Sequence, residues 1–153
     1  MGMQGVAQAK VVLVTGGAKG VGIGISESFL AAGATVIVCG RAAPEQLPSH
    51  QGREAEFIAA DIRDAAAREA LFGEIQRRHG RLDVLVNNAG GAPFAMADKV
   101  SPRFHESIIQ LNLLAPLHLA QQANALMQGQ ESGGVIVFVA SISALRPSPG
   151  TAA

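Results

Sequence analysis

The chain has 153 residues, 48% of them apolar, enough for one domain with a sizeable core. Twelve basic and twelve acidic side chains cancel without a Lys/Arg block or long acidic run, which removes the broad attraction nucleic acid requires and leaves a small molecule as the expected partner. The single Cys39 excludes an intrachain disulfide and, set in an apolar run, reads as a small buried hydrophobe suited to a reducing cytoplasm.

The opening MGMQGVAQAK lacks the basic start and apolar stretch of a signal peptide, and Val6 stands where a myristoylation motif takes Ser or Thr, so no targeting is expected. A β-branched run predicts the first strand over Lys10 to Thr15, followed by closely spaced glycines and a helix over Gly22 to Ala32 that Gly33 stops. The second strand is expected over Thr35 to Cys39. Ala42 to Gly52, with two prolines and few apolar residues, reads as a surface excursion. A weaker third strand over Ala55 to Ala59 precedes a helix over Ala65 to His79 capped by Asp64. The fourth strand is expected over Leu82 to Val86, a long helix over Pro102 to Gln128, and the fifth strand over Val135 to Val139. The uncharged stretch Ser107 to Gln130 is long enough for a membrane, but Gln110, Asn112, His118, Gln121, Gln122 and Asn124 interrupt it. It reads as a mostly apolar buried helix, so no membrane partner is expected.

Near-continuous apolar strands alternating with helices predict a doubly wound α/β fold with a parallel sheet. Right-handed crossovers, then a jump to the far side of the first strand, give the order 3-2-1-4-5. Ligands in such sheets bind at the strand C-termini beside that switch, where Gly16 to Gly22 falls. A single domain over 1–153 is expected, with no internal repeat.

Thr15, Gly16, Gly20 and Gly22 form the pattern TGxxxGxG. Its glycines admit positive φ and close approach to a pyrophosphate, and the following helix turns its amides toward negative charge. Alone, the pattern also suits a ligand-free strand-helix turn. It is followed by Asp61 and Ile62 after the third strand, by NNAG over Asn87 to Gly90, and by Asn112 in the long helix.

This ordered set, from about Lys10 to the last residue, resembles the short-chain dehydrogenase/reductase family. The resemblance implies a Rossmann-type fold and hydride transfer between a nicotinamide cofactor and a carbonyl/alcohol substrate. It makes Thr15, Gly16, Lys19, Gly20, Val21 and Gly22 cofactor-binding, together with Asn88, Ala89 and Gly90 alongside it, whereas Asn87 reads as structural. Asp61 is implied to contact the adenine by its side chain and Ile62 by its backbone, although Asp61 also suits the start of a helix.

Cofactor choice follows from charge. An acidic residue ending the second strand would bind a ribose 2′-hydroxyl and repel a 2′-phosphate, but the chain reads Cys39, Gly40, Arg41 there. Arg41 can fork onto that phosphate and Lys19 can approach it, which favours NADP(H); each alone also reads as a solvated charge.

Two catalytic residues are expected. Pro116, four residues after Asn112, has no N–H for the Asn112 carbonyl, which predicts a kink; the family's matching Asn holds a relay water with that carbonyl, and a packing role is the alternative. Ser141 follows the last strand and matches the serine that hydrogen-bonds the substrate oxygen, with Ser143 its nearest competitor. His50, His79, His105 and His118 have no metal-ligand spacing, so no metal is expected.

Family members also carry a Tyr-x-x-x-Lys pair, and this chain has no tyrosine. By spacing from Ser141 the tyrosine would come next after Ala153, with RPSPGTAA as its run-up, so the chain reads as an N-terminal piece, inactive alone, of an enzyme whose full-length form is a homo-oligomer. The sheet is then incomplete on its C-terminal side, with the GVIVFVA edge open to aggregation. The alternative is a non-catalytic dinucleotide-binding module or sensor.

Overall fold

Alternation inside the strands sets the layers. The computed structural model describes residues 10–96, 98–146 and 150. In β1 (Val11–Thr15), Val11 and Leu13 belong to one apolar cluster and Val12 and Val14 to a second. β2 (Thr35–Gly40) splits the same way, Ile37 and Cys39 against Val36 and Val38. Both sheet faces are therefore covered, which is why these strands carry almost no polar residue.

Helix α1 (Val21–Ala31) lays Ile25, Phe29 and Leu30 on the second cluster. Helices α2 (Ala65–His79) and α4 (Ala115–Gln128) cover the first with Leu71, Phe72, Ile75, Leu119, Ala123 and Met127. Asp64 caps α2, its carboxylate accepting the Ala67 N–H at 2.7 Å. With β3 (Glu56–Ala59), β4 (Val84–Asn87) and β5 (Val135–Phe138), all parallel, the sheet has the order β3-β2-β1-β4-β5. This is the order expected from the crossovers.

Local boundaries differ for identifiable reasons. β4 starts at Val84 and not Leu82, because the Gln130 side chain takes both the Leu82 N–H (2.8 Å) and its carbonyl (3.0 Å). Helix α1 starts one residue early, at Val21. The excursion over 42–52 ends in a small hairpin in which Ser49–His50 pairs with Arg53–Glu54 across Gln51 and Gly52, both at positive φ.

The long helix expected over Pro102 to Gln128 consists of α3 (Pro102–Ile109), a π turn over Gln110–Leu114 and α4. Ser101 caps it, accepting the Phe104 N–H at 3.3 Å. The π turn places the Ala115 N–H on the Gln110 carbonyl, five residues back, just before the proline that interrupts the ordinary pattern.

At the N-terminal end of the sheet, Asp83 is 4% exposed and ties three segments together. Its carboxylate accepts the Val11 N–H (2.9 Å), Lys10 Nζ (3.1 Å) and the Arg81 guanidinium. Edge strand β5 pairs only with β4 among the described residues and leaves Val135 and Phe138 each 56% exposed. No helix among the described residues is long and apolar enough to cross a membrane. The N-terminal stretch with Val6 lies outside the described residues, as does the run-up to the expected tyrosine apart from Arg146 and Gly150.

Candidate functional site

The turn after β1 is built by what its neighbours exclude. Gly20 sits at φ 51°, a conformation that disfavours any side chain with a Cβ. A Cβ on Gly22 would lie 2.3 Å from the Gly16 carbonyl and 2.7 Å from the Asn88 amide, so only glycine lets α1 begin against the turn. No side chain caps that helix start, and its first turn holds no carboxylate. The arrangement suits an anion.

The turn is stapled to the segment after β4. Thr15, fully buried, accepts the N–H groups of Asn88 (3.0 Å) and Ala89 (2.9 Å) on its hydroxyl. The Asn88 amide returns to the Thr15 carbonyl at 2.9 Å. Thr15 therefore shapes the site from behind and does not line it. Asn87 is buried and donates to the Pro116 carbonyl at 3.3 Å, the structural position expected of it.

A cleft of about 590 Å³ opens at the C-terminal edge of the sheet. Gly16, Lys19, Val21, Arg41, Asp61, Ile62, Asn88, Ala89 and Gly90 line it, nine of the residues expected at a cofactor site. Gly20 and Gly22 shape the turn without lining it. The wall also includes Cys39, whose thiol burial pushes up to about 12, partly offset by the Gly16 backbone, so it is a neutral surface.

Charge in the cleft is uneven. Lys19, Arg41 and Arg63 against Asp61 leave a net charge of +2 (three minus one). Asp61 is spoken for: Arg63 forks onto its carboxylate, Nε to Oδ1 at 2.9 Å and Nη2 to Oδ2 at 2.6 Å. That fork holds the Asp61 carboxyl below the usual range against partial desolvation, with Arg41 adding to the effect through space. Lys19 and Arg41 form no ion pair among the described residues. Arg63 was not anticipated from the sequence. Its Asp-x-Arg spacing within a turn was the available sign.

Asn112 lies in the π turn, outside the cleft lining but joined to it. Its side-chain carbonyl accepts the Gly91 N–H at 2.8 Å and its amide donates to the Gly91 carbonyl at 3.2 Å, fixing the loop that follows Gly90. Ser141 is exposed and caps a short 3-10 turn over Ile142–Ala144, accepting the Ser143 N–H at 3.2 Å. It does not line the cleft. Accepting that bond leaves its own O–H free to donate.

A family model for short chain dehydrogenase matches residues 10–153. The chain is 36% identical over 151 residues to the 3beta-hydroxysteroid dehydrogenase of Mediterraneibacter gnavus, covering 94% of this chain and 54% of that protein. It is 30% identical over 134 residues to galactitol 2-dehydrogenase of Agrobacterium fabrum, covering 86% and 52%. A crystal structure of a short chain dehydrogenase from Bacillus anthracis superposes with a TM-score of 0.84 at 26% identity, over 93% of this chain and 61% of that one. The chain spans about half the length of the curated relatives it matches.

Proposed function

The chain belongs to the short chain dehydrogenase family, and we propose that it provides the NADP(H)-binding part of an oxidoreductase acting on a carbonyl/alcohol pair. The observation that carries the cofactor choice is the pair of uncompensated cations, Lys19 and Arg41, on a cleft with no free carboxylate at the end of β2. A 2′-phosphate fits there and a bare ribose diol gains nothing from them. The uncapped start of α1 and the space that Gly22 leaves open fit the pyrophosphate. When bound, the nicotinamide supplies or accepts hydride.

The chain's own residues then have distinct tasks. Thr15 and Asn88 hold the glycine turn in register with the loop after β4. Asp61 and the Ile62 backbone take the adenine, and Asn88, Ala89 and Gly90 give a small-residue wall. Ser141 orients the substrate oxygen with its free O–H. Asn112 clamps Gly91 by its side chain, and its backbone carbonyl, denied an N–H by Pro116, holds water for a proton relay. These 153 residues include no tyrosine, so we assign the proton-donating step elsewhere and expect negligible turnover from them alone.

The relatives bear the names of dehydrogenases of a hydroxysteroid and of galactitol, which supports the reaction class without fixing a substrate. A cytoplasmic setting and homo-oligomeric assembly of the full-length form belong to the same reading.

The test is to follow NADPH absorbance with a panel of ketones and aldehydes, using this chain and the complete open reading frame from its source. NADPH binding by the chain and turnover by the complete protein support the proposal. Binding without turnover by the complete protein would favour a dinucleotide-binding module, and absence of binding would end both readings.

A further inference from the structure

The Asp61–Arg63 pair does more than neutralise a charge. A carboxylate offers about four acceptor sites. Oδ1 of Asp61 takes the Arg63 backbone N–H (3.1 Å) and Nε (2.9 Å), while Oδ2 takes Nη2 alone (2.6 Å). One acceptor site therefore remains, on Oδ2, in a side chain that is 33% exposed on the cleft wall.

Arg63 is itself held from the long helix. Its Nη1 lies 3.5 Å from Ser107 Oγ on α3, and its carbonyl accepts the Gln110 side-chain amide from the π turn at 3.2 Å. The fork is thus braced from a second element, so the remaining acceptor has a fixed direction. A fork of this kind is specific to guanidinium, since an ammonium ion is a point charge without the matching plane.

Arg41 shares the cleft and is close enough to act on Asp61 through space. Without Arg63, the bare carboxylate would draw Arg41 to itself, away from any phosphate. With Arg63 in place, the charge of the carboxylate is paired and three of its acceptor sites are filled.

We infer that Arg63 is a positioning residue of the cofactor site: it fixes Asp61 as a single acceptor for a purine amino group and keeps Arg41 free for the 2′-phosphate. This rests on the reading of the cleft as an NADP(H) site. A 6-amino purine donates to the remaining acceptor, whereas a 6-oxo purine presents an oxygen to it and is repelled.

The experiment is calorimetric titration of the 153-residue chain with adenosine 2′,5′-bisphosphate, AMP and inosine monophosphate, with circular dichroism to confirm that each variant is folded. The parent chain is expected to prefer AMP over the inosine nucleotide about tenfold. Arg63→Gln is expected to weaken the bisphosphate about fivefold and to narrow the base preference. Arg63→Lys retains the charge without the fork, so it keeps the advantage of the bisphosphate over AMP and loses base preference. The double variant Asp61→Asn/Arg63→Gln removes the competing carboxylate and recovers the advantage of the bisphosphate over AMP.

A purely structural Arg63 would instead weaken all three ligands equally, with no recovery in the double variant. That outcome, or an Arg63→Gln chain that binds like the parent, overturns the inference while leaving the cofactor reading intact. A folded parent chain that binds none of the three overturns the cofactor reading and the inference together.

Discussion

Replacing Asp83 tests whether the sheet is stapled at the end opposite the cleft. In Asp83→Ala, the Val11 N–H, on a residue 5% exposed, loses its carboxylate partner. Leaving such a donor buried and unpaired costs about 1–3 kcal/mol. Lys10 and Arg81 are 36% and 39% exposed, so they recover water and add little. The expected loss is roughly 1–3 kcal/mol, or a fall in melting temperature on the order of 2–12 °C for a chain of this size. Asp83→Asn keeps an acceptor for Val11 and should lose about half as much. Burial pushes the Asp83 carboxyl up, but the Arg81 fork, the Val11 N–H and Lys10 outweigh it and leave it below the ordinary carboxylate range. Its contribution is therefore present above the unfolded value of about 4 and disappears as pH falls through the lower folded value. Urea unfolding of both variants at neutral pH and at about pH 3 provides the assay. An alanine variant within about 0.5 kcal/mol of the parent at neutral pH, or an asparagine variant losing as much as alanine, would refute the reasoning.

Other substitutions probe the cleft and the open edge. Gly22→Ala places a methyl 2.3 Å from the Gly16 carbonyl, so it should cost about 1–3 kcal/mol in unfolding experiments and weaken dinucleotide binding measured by fluorescence. Lys19→Ala and Arg41→Ala should each weaken NADPH about tenfold and leave NADH nearly unchanged, as competitive titration would show. The 153-residue chain should self-associate through β5 and the exposed Ile142 and Leu145, and Val137→Lys should shift sedimentation toward monomer. A parent chain that sediments as a single monomer would count against that assignment.

The sheet was legible because burial on both faces forces near-continuous apolar strands, and because chirality leaves one order once the crossovers are counted. The α2 cap was legible for a local reason, since Asp64 reaches the Ala67 N–H without help from the rest of the fold. Features that depend on distant groups were not. Thr15 looks like part of the binding turn, but its role is set by two N–H groups more than 70 residues away. The proline foretold disruption near Asn112, and the disruption takes the form of a π turn over Gln110–Leu114. Arg63 went unremarked because its bracing by Ser107 and Gln110 arises only when α3 comes alongside. The cap that Ser141 places on the next turn is local, two residues long, yet a serine suits many loop positions and its hydroxyl alone does not announce it.

The most direct test is a competitive titration of the folded chain with NADPH and NADH. NADPH is expected to bind at least about tenfold more tightly, with an advantage that shrinks as salt is added because Lys19 and Arg41 carry it. Equal or tighter binding of NADH would contradict the assignment of those cations to a 2′-phosphate.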